Sequence, residues 1–153
     1  MTVVKAHRFS VAVRRHESGL VRAHVPGKAE LSVAVPPELH GRHEGIWSPE
    51  ELLAASVASC FAVTLDAVAE HMDVPLHDVD VRAATNVERI EGRYTVTHLD
   101  LAVTIETDSG LVERARDAAR RAERLCLISA ALDSPVHVRV DVGAKPREPA
   151  LPA

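Results

Sequence analysis

Apolar and polar residues alternate over residues 9–13, lose the pattern at Arg14-Arg15-His16-Glu17-Ser18-Gly19, and resume it over 20–25. A period of two belongs to a strand with one face covered, so this layout predicts two strands joined by a turn. Pro26-Gly27 marks the next turn, residues 30–35 a third strand closed by Pro36-Pro37, and the aperiodic 38–47 a loop. Ser48, Pro49 and Glu51 then form a helix start: a hydroxyl at the cap, proline at the first helical position, an acid three residues after the cap. The helix is expected to run to His71 or Met72, where Pro75 prevents extension.

Residues 79–90 and 93–107 alternate on either side of Glu91-Gly92 and predict a long hairpin. Leu111, Ala115, Ala118, Ala122, Leu125 and Cys126 recur at helical spacing, with Arg and Glu opposite them, and predict an amphipathic second helix. On that reading Cys126 sits at the inner edge of the last turn. Residues 135–142 make a final strand, and 143–153, rich in proline and charge, read as a disordered tail. The order βββ-α-ββ-α-β predicts a single α+β domain over 1–142, with antiparallel strands covering the helices.

The first helix is apolar on every side, which one sheet and one neighbour cannot hide, so a second copy of the chain is the expected cover. Ala54, Ala55, Ser56, Ala58 and Ser59 are small enough to admit another backbone closely. A membrane is the poorer partner. The uncharged run between Glu51 and Asp66 is 14 residues, short of the about 20 a spanning helix needs. The net charge of −4 and the four aromatic residues argue against a nucleic-acid surface.

Two cysteines are too few for a disulfide framework, and the N-terminal segment alternates and carries charge rather than resembling a secretory signal. A reducing cytoplasm is the expected address, where paired cysteines are more often redox-active or metal-binding. Taken alone, each cysteine is most simply a small buried hydrophobe. There is no Cys-x-x-Cys, and His40, His43, His71 and His77 share no joint pattern with the thiols, so neither metal nor cofactor is expected. Cys60 lies near mid-helix, where the dipole offers little, and needs a side-chain cation to ionise.

The segment SPEELLAASVASCF, with Cys126-Leu127-Ile128-Ser129 later, resembles the two cysteine motifs of the OsmC/Ohr family of osmotically induced and organic hydroperoxide resistance proteins. The order of elements agrees over residues 7–142. The resemblance implies an intertwined homodimer and a thiol-dependent peroxidase acting on organic hydroperoxides, with hydrogen peroxide a further substrate. Carried over by motif, Cys60 is the peroxidatic and Cys126 the resolving cysteine, with Glu50 as the acid of the site. The family's arginine falls in the first hairpin, at Arg14 or Arg15; counting from Phe9 favours Arg15. Where the family usually reads Cys-Pro-x-Ser, this chain has Leu127 in place of the proline.

By this implication Arg15 holds the Cys60 thiolate, Glu50 orients the guanidinium, and a dithiol, a lipoyl protein or a thioredoxin-like protein, reopens the Cys60-Cys126 disulfide. On one straight helix Glu50 and Cys60 stand about 15 Å apart. Either the chain bends near Ser48-Pro49 or Glu50 serves the partner's site; the second is preferred. A redox sensor with little turnover and a purely structural dimer are the competing readings.

Overall fold

The computed structural model describes residues 5–145, which divide between Leu52 and Leu53 into two compact units. In the first, β1 (Ala12–Glu17), β2 (Leu20–His24) and β3 (Leu31–Ala34) form an antiparallel sheet in that order. The expected break at Arg14 is corrected. Both arginines lie within β1, with Arg14 opposite Arg22 and Arg15 opposite Val21, and the turn shrinks to Ser18-Gly19. Backbone pairing is indifferent to side-chain polarity, and Gly19 at φ 77° supplies the left-handed turn that lets the strand run on.

After β3 the loop begins with a short 3-10 turn, Pro37–Leu39. The Ala34 amide then ties the loop's far end down through the Trp47 carbonyl at 2.8 Å. Gly41 is required in between, because a Cβ there would fall 1.7 Å from the Val35 carbonyl oxygen. The helix α1 (Pro49–His71) opens as its sequence predicts. The Ser48 hydroxyl accepts from the Glu51 amide at 3.1 Å while the Glu51 carboxylate accepts from the Ser48 amide at 2.8 Å. This reciprocal pair satisfies two amides that a helix start otherwise leaves open.

The second unit holds most of α1 and a sheet of β4 (Asp78–Ile90), β5 (Arg93–Asp108) and β6 (Val136–Lys145). The hairpin turns at Glu91-Gly92 as expected. Between β5 and β6 lie a 3-10 turn, Ser109–Leu111, then α2 (Val112–Leu125) and the single-turn α3 (Leu127–Ala130). β4 and β5 are antiparallel, but β6 runs parallel to β5, which corrects the all-antiparallel expectation. A helix inserted between two strands carries the chain back to the starting end of the sheet, so the next strand repeats the direction of the last.

One face of β5 presents Leu99, Leu101, Val103 and Ile105 to the core, where Val57, Phe61, Leu65 and Ala69 of α1 and four alanines of α2 join them. The α1 positions follow one another at intervals of four, one stripe of a helix, and Val57 and Leu65 are fully buried. β6 continues to Lys145, beyond the end expected at Val142, because Thr107 and Asp108 of β5 still offer pairing partners to Ala144 and Lys145. The rest of the expected tail, 146–153, lies outside the described residues.

Candidate active site

Cys60 lies midway along α1 on the border of its buried stripe, next to Phe61 in the core, and is half-buried. Cys126 is fully buried and occupies the joint between two helices rather than the last turn of α2, a further correction. Its backbone, φ −64° and ψ 106°, is extended, so it closes α2 and caps α3. Ser129, three residues on, donates its hydroxyl to Cys126 Sγ at 3.2 Å. The spacing is that of a cap residue and the third helical position, here joined side chain to side chain and not through a backbone amide of α3.

This joint brings the two thiols together. Partial burial pushes the Cys60 thiol up, but hydrogen bonds from the Ile128 amide, the Cys126 thiol, the Leu127 amide and the Thr64 hydroxyl outweigh it. The net result lies below the ordinary thiol value of 9.0. Two of these donors are the open amides at the start of α3, which have no partner within their own helix and so are free to hold an anion. Cys126 still closes α2, whose C-terminal charge opposes a thiolate, and the break in the helix supplies donor amides beside it.

Thr64, Leu127, Ile128 and Ser129 are the site residues that sequence reasoning did not assign. The Cys126-x-x-Ser129 spacing was the available signal, since it is that of a capped helix start. The sulfur-to-amide contacts had none, because they depend on where α1 and α3 cross. Beside the joint, Phe61, Glu123, Ser129, Leu132, Pro135 and Val138 are among the residues that line a pocket of about 270 Å³.

The other two expected site residues lie in the first unit. Arg15 is exposed on β1, along a cleft of about 530 Å³ that also carries Arg14, His16, Arg22 and His24. Glu50 is the second residue of α1 and is half-buried. α1 runs unbroken from Pro49 to His71, without a bend between Glu50 and Cys60.

Comparison with known proteins gives a consistent picture. The family model described as OsmC-like protein matches residues 41–141. The uncharacterized protein YmaD of Bacillus subtilis is 26% identical over 136 residues, spanning 86% of this chain and 87% of its own. An OsmC-like protein of unknown function from Vibrio cholerae superposes with a TM-score of 0.78 at 14% identity, covering 89% of this chain and 100% of its own. An organic hydroperoxide resistance protein from Elizabethkingia anophelis does so with a TM-score of 0.70 at 21% identity, covering 92% and 100%. At such identities the superpositions speak for the fold.

Proposed function

This chain belongs to the OsmC-like protein family, and on that premise we propose that it is a cysteine-based hydroperoxide reductase in peroxide defence. The observation that carries the reading is the pairing of a Cys60 thiol poised to ionise with a second thiol in hydrogen-bonding reach. The Cys60 thiolate attacks the distal peroxide oxygen, the O–O bond breaks, and the departing alkoxide takes a proton to leave as alcohol. Cys60 becomes a sulfenic acid. The Cys126 sulfur then displaces its hydroxyl, which leaves as water, and a disulfide joins the two residues. A dithiol, lipoyl-bound or thioredoxin-like, restores both thiols by exchange.

Each part of the site has a task. The Leu127 and Ile128 amides and the Thr64 hydroxyl hold negative charge on Cys60 before attack. Ser129 keeps the Cys126 sulfur directed by its 3.2 Å hydrogen bond. Arg15 and Glu50 take the roles the family resemblance gives them, the guanidinium holding the thiolate and peroxide and the carboxylate orienting the guanidinium by charge-assisted bonds. Apolar surroundings at Phe61 favour a peroxide with an organic tail over hydrogen peroxide.

The working form is a homodimer in the cytoplasm. α1 is long and apolar enough to cross a bilayer by length and composition. Its buried stripe nevertheless packs into the protein core, while Val63 on another face is 65% exposed in one chain. A second copy laid against that face covers it and places the Glu50 of one chain at the Cys60 of the other.

Peroxide consumption with lipoamide or thioredoxin as reductant tests the reading, comparing the native chain with Cys60→Ser and Cys126→Ser. Cys60→Ser is expected to abolish the reaction, and Cys126→Ser to preserve the first oxidation while blocking recycling. Full rates in both variants would overturn the proposal. A single oxidation that no dithiol reverses would favour the sensor instead.

A further inference from the structure

We propose that His98, Asp100 and His137 form a binding site for a divalent transition-metal ion of the zinc type, on the exposed face of the β4-β5-β6 sheet. The site follows from strand geometry. His98 and Asp100 are two residues apart on β5 and share one face, while Leu99 and Leu101 point into the core. The parallel pairing of β6 sets His137 directly opposite Asp100. The ligand atoms of the three residues all lie within 4.8 Å of one another.

The distances are of the size that a metal site requires. His98 Nε2 stands 3.5 Å from one Asp100 carboxylate oxygen and His137 Nδ1 stands 3.5 Å from the other. Ligands at zinc, with bonds of about 2.0 Å in a tetrahedron, stand about 3.3 Å apart. Two imidazoles and one carboxylate are a donor set for zinc, iron, nickel or copper rather than for calcium or magnesium. Three protein ligands on an open face leave further positions to water.

The surrounding residues hold these donors in a metal-ready form. β5 carries an extra residue at Thr97, since Val87 pairs with Val96 and Asn86 with His98. A bulge of this kind re-aims side chains, and the Thr97 hydroxyl meets His98 Nδ1 at 3.1 Å and a Glu88 carboxylate oxygen at 3.1 Å. The Asn86 carbonyl at 3.4 Å is a further acceptor for the hydroxyl; when its single proton goes to Glu88 or to that carbonyl, it accepts from Nδ1–H, the tautomer in which Nε2 is free to ligate a metal. The Asn86 amide donates to Asp100 Oδ2 at 2.8 Å and fixes the orientation of that carboxylate. A deprotonated carboxylate and a bare imidazole nitrogen are what a metal requires. The competing arrangement is an exposed ion-pair cluster in which the imidazoles are protonated, which contributes little.

Calorimetric titration with Zn²⁺ at pH 7.5 tests the site, using the full chain carrying Cys60→Ser and Cys126→Ser so that the thiols cannot take the metal. About one ion per chain is expected to bind. In this background His137→Ala and Asp100→Asn are each expected to weaken binding by at least about tenfold, and Thr97→Val by roughly 10–100-fold as a partner of a ligand. Circular dichroism should stay unchanged, as the altered side chains of Asp100 and His137 are exposed. As a second readout, Co²⁺ should broaden the ring-proton signals of His98 and His137 ahead of the other histidines. Equal affinity in His137→Ala and Asp100→Asn, or absence of Zn²⁺ binding in the double cysteine background, would overturn the assignment.

Discussion

Cys126 and the two amides that follow it in the chain are the groups that, with Thr64, draw the Cys60 thiol below its ordinary value against the opposing effect of burial. The resolving group and part of the activating field therefore arrive on one short segment. Moving that segment changes both the ionisation of Cys60 and its access to its disulfide partner.

Oxidation should accordingly stop at different stages in different variants. One equivalent of cumene hydroperoxide is expected to consume both free thiols of the native chain. In Cys126→Ser it should leave a sulfenic acid that dimedone traps, read by mass spectrometry. Dimedone adduct on Cys126 in Cys60→Ser would reverse the assigned roles.

The ionisation of Cys60 gives a pH prediction. Its folded-state value lies below 9.0, so iodoacetamide labelling should reach half its maximal rate below that pH. Leu127→Pro removes one of the donating amides at a position where proline suits the start of a helix, and Leu127 is 73% exposed. The labelling midpoint should then move upward. A group depressed on folding stabilises the native state fully above its unfolded value and ceases to do so as pH falls through its folded value. The contribution of Cys60 to stability is thus greatest above pH 9.0 and is lost as the pH falls through its folded value.

Arg15 and Arg14 are neighbours on β1 with opposite expectations. A charge-assisted hydrogen bond of about 1.5–3 kcal/mol to the reacting centre corresponds to roughly 10–100-fold in rate. Arg15→Ala should lower the second-order rate with organic hydroperoxide by that factor, measured by stopped flow. Arg14→Ala should change it little. An inverted result would move the role by one residue.

Val63 and Leu65 separate assembly from packing on one helix. Leu65 is fully buried, and Leu65→Ala should cost about 2–5 kcal/mol in a denaturant titration. Val63→Asp alters an exposed position in one chain and should leave the core intact while lowering dimer content, measured by analytical ultracentrifugation. A dimer that survives this change would move the interface off this face of α1.

The helix start at Ser48, the hairpin at Glu91-Gly92 and the buried face of β5 follow from the chain itself, because capping, turns and periodicity act over a few residues, whereas the stripe that the all-round apolar α1 buries does not. The motif resemblance likewise pointed to both cysteines. Tertiary structure decided the rest. The direction of β6 depends on how α2 recrosses the sheet, and no local pattern distinguishes a parallel from an antiparallel partner. The same pairing carries His137 to Asp100, residues far apart along the chain. The helix break at Cys126 escaped the periodicity because Leu127 and Ile128 continue an apolar run. Only its crossing with α1 turned that break into a source of amides for Cys60, since hydrogen bonds between distant segments exist only once packing has brought them within about 3 Å.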